Sequence, residues 1–172
     1  MGERGVFGPE QRVELLDGLL FEIQPMSPEH AYAVDQVSAV FHERFAGRAW
    51  VRTQTPITLD EMSEPQPDLT LNELPKERYA KAHPTPSEAL LVVEVSLSSL
   101  EMDLGRKLRA YARRGVREYW IVDLAHERVE VFRGPAGERY RNHRPLGRGE
   151  SVAPLAFPKE TILIDEFLPP AQ

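Results

Sequence analysis

The hydrophobic and polar positions of the chain fall into segments that predict short strands and two helices. Residues 13–23 have the pattern of a hairpin with Asp17 and Gly18 at its turn. Ser27 and Pro28 are typical of a helix start, and the apolar spacing after them predicts a helix that stops at Gly47. Further strands are predicted at residues 50–53, 57–59, 68–71 and 90–96.

The second half of the chain continues this order of elements. A helix is predicted over residues 100–114, capped by Ser98 or Ser99 and ended by Gly115. Its apolar stripe is formed by Leu100, Leu104, Leu108, Tyr111 and Ala112. A strand at 118–123, a hairpin at 129–142 and a last strand at 161–165 follow, whereas 72–88 is predicted to be a loop with at most one helical turn. We therefore expect an α/β fold of the mixed α+β type, one domain over residues 1–172 with a central mixed sheet flanked by helices.

Composition narrows the class of protein. The chain has 172 residues, of which 41% are hydrophobic and 28% charged, as in ordinary globular domains. Cysteine is absent, which excludes disulfides and thiolate metal sites. No apolar run is long enough to span a bilayer, and residues 1–5 lack the apolar core of a secretion signal. We expect a cytoplasmic protein with no membrane partner.

The charge distribution is uneven along the chain. The net charge of −6 argues against nucleic acid as a partner, but only weakly. Residues 106–117 contain six basic residues and no acid, and residues 133–148 contain six basic residues, with His143 counted, and one acid. These two basic segments either bind phosphates or form the solvated surfaces of a helix and a hairpin.

Two acidic residues are the main candidates for chemistry. Glu94 lies in an apolar run that predicts a strand buried on both faces, where a carboxylate needs a positive partner. Asp68 follows Pro67 at the start of another short apolar strand. If the two strands are neighbours, both acids can bind one hard cation such as Mg²⁺ or Mn²⁺, as in sites that hydrolyse phosphodiesters. The alternative is that each acid pairs with an arginine.

Lys107 strengthens the first interpretation. It lies at the border of the buried stripe on the predicted second helix, from which it can reach the strand ends. A lysine near a metal-bound water can orient it, help to deprotonate it, or offset the charge of the attacked phosphate. Alternatively, Lys107 is a surface lysine paired with Asp103 four residues earlier, and the same pair can also form within the site.

Three other residues have open roles. His30, in the first turn of the first helix, is more simply explained by capping and packing than by a place in the site. Glu14 and Glu22 lie on the predicted first hairpin, and either is a third acid of the site or a solvated charge.

Together these segments resemble the Uma2 endonuclease family, within the restriction-endonuclease-like PD-(D/E)XK nuclease superfamily. The resemblance spans about residues 13–165, and Glu14 and His30 also match family features. The sequence segments that carry it are Pro67-Asp68, Val93-Glu94-Val95-Ser96, the spacing Asp103…Lys107…Tyr111, and residues 115–123.

The resemblance implies a mixed sheet flanked by helices and Mg²⁺-dependent hydrolysis of nucleic acid. Asp68 and Glu94 match the two acidic metal ligands, and the backbone carbonyl of Val95 would be a further ligand. The superfamily lysine normally follows two residues after the second acid, where this chain has Ser96. Lys107, presented from the following helix, is the expected substitute.

The sequence thus predicts a metal-dependent DNA endonuclease. Asp68 and Glu94 bind Mg²⁺ or Mn²⁺, Lys107 assists the attacking water, and the two basic segments hold phosphates. Because duplex cleavage needs two active sites, we expect a homodimer or a larger even oligomer. Two alternatives stay open: a catalytically inactive nucleic-acid-binding or interaction module, suggested by Ser96 and the acidic net charge, and a hydrolase of another phosphoester.

Overall fold

The computed structural model describes residues 13–170 of the chain. Residues 1–12 and 171–172, which the single-domain prediction includes, lie outside the described residues. The strands are β1 (Val13–Leu16), β2 (Leu19–Glu22), β3 (Trp50–Thr53), β4 (Leu69–Asn72), β5 (Ala89–Ser96), β6 (Glu118–Asp123), β7 (Arg128–Ala136), β8 (Arg139–Gly147), β9 (Ser151–Val152) and β10 (Ile162–Leu163). The helices are α1 (Pro28–Phe45), α2 (Leu100–Met102) and α3 (Leu108–Arg113), and a π-helical segment (Asp103–Lys107) joins α2 to α3. Short 3₁₀ turns occur at Lys76–Tyr79 and Ile164–Glu166.

A six-stranded sheet in the order β3-β4-β5-β6-β7-β8 organises the fold. Only β5 and β6 are parallel neighbours within it, and the helical stretch from α2 to α3 is the crossover between them. The sheet is therefore mixed and carries helices on both faces, which confirms the predicted α+β fold. None of the helices in residues 13–170 is long and apolar enough to cross a membrane.

The two faces of the sheet have separate cores. On one face α1 packs through Phe41, whose ring centroid lies 6.1 Å from that of Trp120. On the other face α3 packs through Tyr111, whose ring centroid lies 4.9 Å from that of Tyr119. Because β5 and β6 are covered on both sides, their side chains are buried almost without interruption, as the continuous apolar runs predicted.

The strand register places the two candidate acids side by side. β4 pairs antiparallel with β5, with Leu69 opposite Val93. Asp68 immediately precedes β4, and Glu94 follows Val93 on β5. The two acids therefore come from adjacent positions of neighbouring strands, as the sequence interpretation required.

Two predicted strands differ from the structure. Residues 57–59 form no strand: Ile57 is fully buried, and its backbone N–H donates to the Pro65 carbonyl in an irregular loop. Its apolar pattern therefore reflects packing against the core and not strand pairing. The strand predicted at 161–165 is reduced to β10, because the chain turns into a 3₁₀ helix at Ile164.

The π-helical segment changes which residues face the sheet. The backbone N–H of Leu108 donates to the carbonyl of Asp103, five residues earlier, so this turn is wider than an α-helical one. Asp103 and Lys107 are buried here, 1% and 8% exposed, whereas Leu104 is 37% exposed. The prediction that Leu104 belongs to the buried stripe is wrong, because it assumed a regular α-helical period across the segment.

Alanine substitutions at two glycines of this helical stretch test the backbone conformation that the structure gives it. Gly115 has a φ of +78° and ends α3, so alanine there is strained and we expect Gly115→Ala to destabilise the fold by about 1 kcal/mol. Gly105 lies within the π-helical segment, where an added Cβ meets no atom within 4 Å. We expect Gly105→Ala to be neutral or to stabilise by up to about 1 kcal/mol. Urea unfolding followed by tryptophan fluorescence measures both, and equal effects of the two variants would contradict this account of the helix.

Candidate active site

The structure brings Asp68, Glu94 and Lys107 into one cleft of about 560 Å³. Asp68 and Glu94 form one wall together with Val95, and Lys107 reaches in from the π-helical segment. Glu14 from β1 also lines the cleft. Residues separated by up to 93 positions in the sequence thus meet at one end of β4 and β5.

Glu94 is the most enclosed of these groups, with 3% of the residue exposed. Its Oε1 accepts hydrogen bonds from Lys107 Nζ at 3.1 Å and from the Tyr111 hydroxyl at 2.9 Å. Its Oε2 faces the backbone N–H of Asp68 at 3.4 Å. Burial raises the pKa of Glu94 well above its usual range; the charge of Lys107 opposes this rise, and the carboxylates of Asp103 and Asp68 add to it.

Lys107 is surrounded by carboxylates. Its Nζ lies 3.1 Å from Glu94 Oε1, 3.4 Å from Glu14 Oε2 and 3.9 Å from Asp103 Oδ1. Burial alone would lower the pKa of Lys107, but the negative charges of these three residues outweigh it and raise the pKa. The pairing with Asp103 considered from the sequence does exist, but within the cleft and not on a solvated surface.

Asp68 is held by groups from three directions. Its Oδ2 accepts a hydrogen bond from the backbone N–H of Val95 at 2.8 Å, and its Oδ1 accepts one from Gln54 Nε2 at 3.3 Å. His30 Nε2 lies 3.5 Å from Oδ2, too far for a good hydrogen bond but close enough for electrostatic attraction. Burial would raise the pKa of Asp68, but His30 and the Val95 N–H lower it below its usual range. The charged partners of the two candidate acids are therefore His30 and Lys107, not arginines.

The structure gives His30 a place beside the site, although the sequence favoured a role in capping and packing. The Asp68 carboxylate is the main cause of the raised pKa of His30; burial opposes it, and the backbone of Val95 raises the pKa further. His30 and Val95 both line the cleft.

Ser96, at the position where the superfamily has its lysine, performs a different task. Its hydroxyl donates a hydrogen bond to Asp103 Oδ2, and the Ser99 hydroxyl donates to the same oxygen at 2.6 Å. Burial raises the pKa of Asp103, while the charge of Lys107 and the two serines oppose that rise. These bonds tie the end of β5 to the π-helical segment that carries Lys107.

Sequence reasoning missed the roles of two residues. Tyr111 was assigned to the core, and Asp103 was considered only as a partner of Lys107. The available signal was the spacing Asp103, Lys107, Tyr111, since residues four apart lie on one face of a helix. Of the two open glutamates, Glu14 belongs to the buried group, because its Oε2 accepts from the backbone N–H of Gln66 at 3.1 Å, whereas Glu22 is exposed at the cleft wall.

The cleft has the donor chemistry of a divalent cation site. Glu14, Asp68, Glu94 and Asp103 supply four carboxylates against the charges of Lys107 and His30. Oxygen donors with excess negative charge fit a hard divalent ion. In residues 13–170 no three His, Asp or Glu side chains already converge as metal ligands. The feature that fits an ion is therefore the surplus of buried carboxylates, and binding requires them to exchange some of their present protein donors.

Comparison with known proteins places these features in a family context. The sequence model of the Uma2 family, described as "Putative restriction endonuclease", matches residues 3–165. The fold is similar to the crystal structure of "a putative nuclease belonging to DUF820 from Anabaena variabilis ATCC 29413", with a TM-score of 0.74. The two chains are 14% identical, and the similarity covers 94% of this chain and 92% of the other. No curated protein matches the chain.

The need of the buried carboxylates for Lys107 can be tested by measuring the free energy of unfolding. Removing the lysine by Lys107→Met leaves Glu94, Glu14 and Asp103 without their shared cation, so we expect a loss of about 3 kcal/mol in the presence of EDTA. Adding Glu94→Gln to this variant should recover part of the loss, because one buried charge is removed. Lys81→Met is the matched control at an exposed lysine and should change stability by less than about 0.5 kcal/mol. Equal urea midpoints for the Lys107 and Lys81 variants would show that the carboxylates do not need this cation.

Proposed function

The chain belongs to the Uma2 family, and from that premise we propose that it is a metal-dependent endonuclease that hydrolyses the phosphodiester bonds of DNA. The family and the nuclease of similar fold support a nuclease in general terms. The observation that carries the finer proposal is the contact of Lys107 Nζ with Glu94 at 3.1 Å, beside Asp68 in one cleft. Two acids can hold a metal ion for phosphodiester hydrolysis, and a lysine beside them can orient the water or offset the charge of the phosphate.

The proposed ligands are the carboxylates of Asp68 and Glu94 and the backbone carbonyl of Val95. A bound Mg²⁺ or Mn²⁺ would supply Lewis acidity and a more acidic water. Oε1 of Glu94 accepts from Lys107 and Tyr111, whereas Oε2 accepts only a long bond of 3.4 Å from the backbone N–H of Asp68. Oε2 is therefore the oxygen that we propose would bind the ion. Tyr111 therefore orients the carboxylate that would hold the ion.

The protonation state of Lys107 determines which role it can have in the reaction. Its raised pKa keeps the ammonium protonated at neutral pH, so it can donate a hydrogen bond but has no lone pair with which to accept a proton. We assign Lys107 to orienting the attacking water and to balancing charge on the attacked phosphate. Of the roles considered from the sequence, deprotonation of the water is the one that this charge state disfavours.

The phosphate contacts would come from a smaller set of arginines than the basic segments contain. Arg113 pairs with Asp17 and Glu138, and Arg114 pairs with Asp17 and Asp60. Arg148 is likewise engaged by two carboxylates. Cations already paired within the protein contribute less to phosphate binding.

The remaining exposed arginines are the proposed contacts. Arg109 and Arg117 lie on and after α3, and Arg139 and Arg141 lie on β8; within residues 13–170 none of the four takes part in an ion pair. Arg141 also lines a groove of about 770 Å³ beside β7 and β8. Since residues 13–170 form one such cleft of acids and duplex cleavage needs two, we propose a homodimer or a larger even oligomer.

Plasmid cleavage tests the proposal directly. With Mg²⁺ or Mn²⁺ the protein should nick or linearise supercoiled plasmid, and EDTA should prevent this. Asp68→Asn and Glu94→Gln should abolish cleavage, and Lys107→Ala should slow it by about 10²-fold or more, compared at a temperature where each variant is folded. Asp35→Asn, at an exposed acid of α1 outside the cleft, is the matched control and should cut like the wild type.

The other outcomes separate the alternatives. Salt-dependent DNA binding with no cleavage under either ion would favour the inactive binding module. Turnover of a small phosphodiester, with no affinity for DNA, would favour a hydrolase of another phosphoester. Cleavage that persists in both Asp68→Asn and Glu94→Gln would show that the cleft is not the active site.

A further inference from the structure

We propose that the imidazole of His30 binds the metal ion directly through Nε2, so that the site has nitrogen as well as oxygen donors and prefers Mn²⁺ to Mg²⁺. This inference rests on the proposed function for the presence of a divalent ion in the cleft. It goes beyond that function because it adds a ligand from α1 to those on β4 and β5 and specifies the class of ion.

Local sequence fixes where His30 stands. Pro28 occupies the first turn of α1, and the Ser27 hydroxyl accepts a hydrogen bond from the backbone N–H of His30 at 3.2 Å. This capping arrangement holds the first turn of the helix against the open end of the cleft. The side chain of His30 is 21% exposed and lines the cleft together with Asp68 and Val95.

The direction of the ring is the first observation for the proposal. Nε2 of His30 lies 3.5 Å from Oδ2 of Asp68. Asp68 is one of the three proposed metal ligands, and Val95, whose carbonyl is another, lines the same cleft as His30. A ring nitrogen directed at Asp68 in this cleft is placed where it would join the same coordination shell.

The second observation is that this nitrogen has no hydrogen-bond partner. Nε2 of His30 is buried and makes no hydrogen bond in the described structure, which costs free energy unless another group binds this nitrogen. The other four histidines of the chain each have a ring nitrogen in a hydrogen bond. Their partners are Ser38 for His42, Arg52 for His83, Asp123 for His126 and Glu130 for His143. His30 is thus the histidine whose ring nitrogen is left available at a cluster of acids.

The donor set then selects the ion. Mg²⁺ binds almost entirely through oxygen, whereas a nitrogen donor raises the affinity of a site for divalent transition metals, of which Mn²⁺ gains the least and is the one closest to Mg²⁺ in its preference for oxygen. A site with Asp68, Glu94, the Val95 carbonyl and His30 therefore favours Mn²⁺ over Mg²⁺. An all-oxygen site without the histidine would discriminate less between the two ions.

A competing role for His30 predicts a different change in Mn²⁺ affinity when its side chain is removed. If His30 only supplies positive charge to Asp68, it competes with the metal ion, and its removal leaves metal affinity unchanged or increases it. If His30 is a ligand, its removal weakens Mn²⁺ binding and leaves Mg²⁺ binding nearly unchanged. The two roles are therefore separated by binding measurements alone, without an activity assay.

The experiment titrates the full chain with Mn²⁺ and, separately, with Mg²⁺ by calorimetry. We expect His30→Gln to weaken Mn²⁺ binding by about tenfold or more. His42→Gln is the matched control on the exposed side of the same helix and should bind both ions like the wild type. Circular dichroism establishes that each variant is folded.

Pulsed electron paramagnetic resonance of bound Mn²⁺ gives a second readout that needs no variant. Wild-type protein should show a ¹⁴N coupling that becomes a ¹⁵N coupling when histidine alone is labelled, and the coupling should be absent in His30→Gln. Unchanged or tighter Mn²⁺ binding in His30→Gln, or a spectrum without nitrogen coupling, would overturn the proposal for His30.

Further outcomes distinguish this proposal from the proposed function. Mn²⁺ binding that is lost in Asp68→Asn but shows no nitrogen coupling would overturn the role of His30 and leave the metal site intact. A wild-type protein that binds neither ion would overturn both proposals. Mn²⁺ binding with histidine coupling but no plasmid cleavage would support His30 as a ligand and count against the endonuclease.

Discussion

The candidate site depends on one interaction, the buried ion pair between Lys107 and Glu94. A carboxylate on β5, covered on both faces of the sheet, is tolerated only because an ammonium group and a tyrosine hydroxyl meet it at 3.1 and 2.9 Å. Glu14 and Asp103 then gather around the same ammonium. Three carboxyl groups thus share one ammonium group, and this imbalance is the basis of our proposal that the cleft binds a further cation.

The sequence was sufficient to locate this pair of acids but not all of its surroundings. Asp68 and Glu94 stood out because a carboxylate on an apolar strand needs a partner. The pairing of β4 with β5 then brings the two acids together. The buried position of Asp103 and the exposure of Leu104 could not be read from the chain, since helical periodicity assumes 3.6 residues per turn and the π-helical segment does not. Nor could linear charge show that Arg113 and Arg114 meet acids from distant loops.

Under the proposed function, the position of Lys107 would retain the chemistry of the site although the strand motif is broken. Ser96 stands where the lysine of the superfamily is expected, and its hydroxyl instead anchors Asp103. The ammonium group arrives from the crossover that follows β5, and it reaches the same carboxylate. Equivalence of chemistry in this fold therefore lies in where charged atoms meet, and less in the spacing of residues along one strand.

The π-helical segment gives the crossover an unusual vulnerability to changes in length. Relative to an α-helix it contains one additional residue, and one residue corresponds to a rotation of about 100°. Deleting a single residue there would restore ordinary helical winding, keep the apolar contacts of α3 with the sheet, and turn Asp103 away from Lys107 or Lys107 away from Glu94. A relative that differs only by such a deletion would keep the architecture yet lose one of the buried contacts around Lys107, so helix length belongs beside residue identity when members of the family are sorted by chemistry.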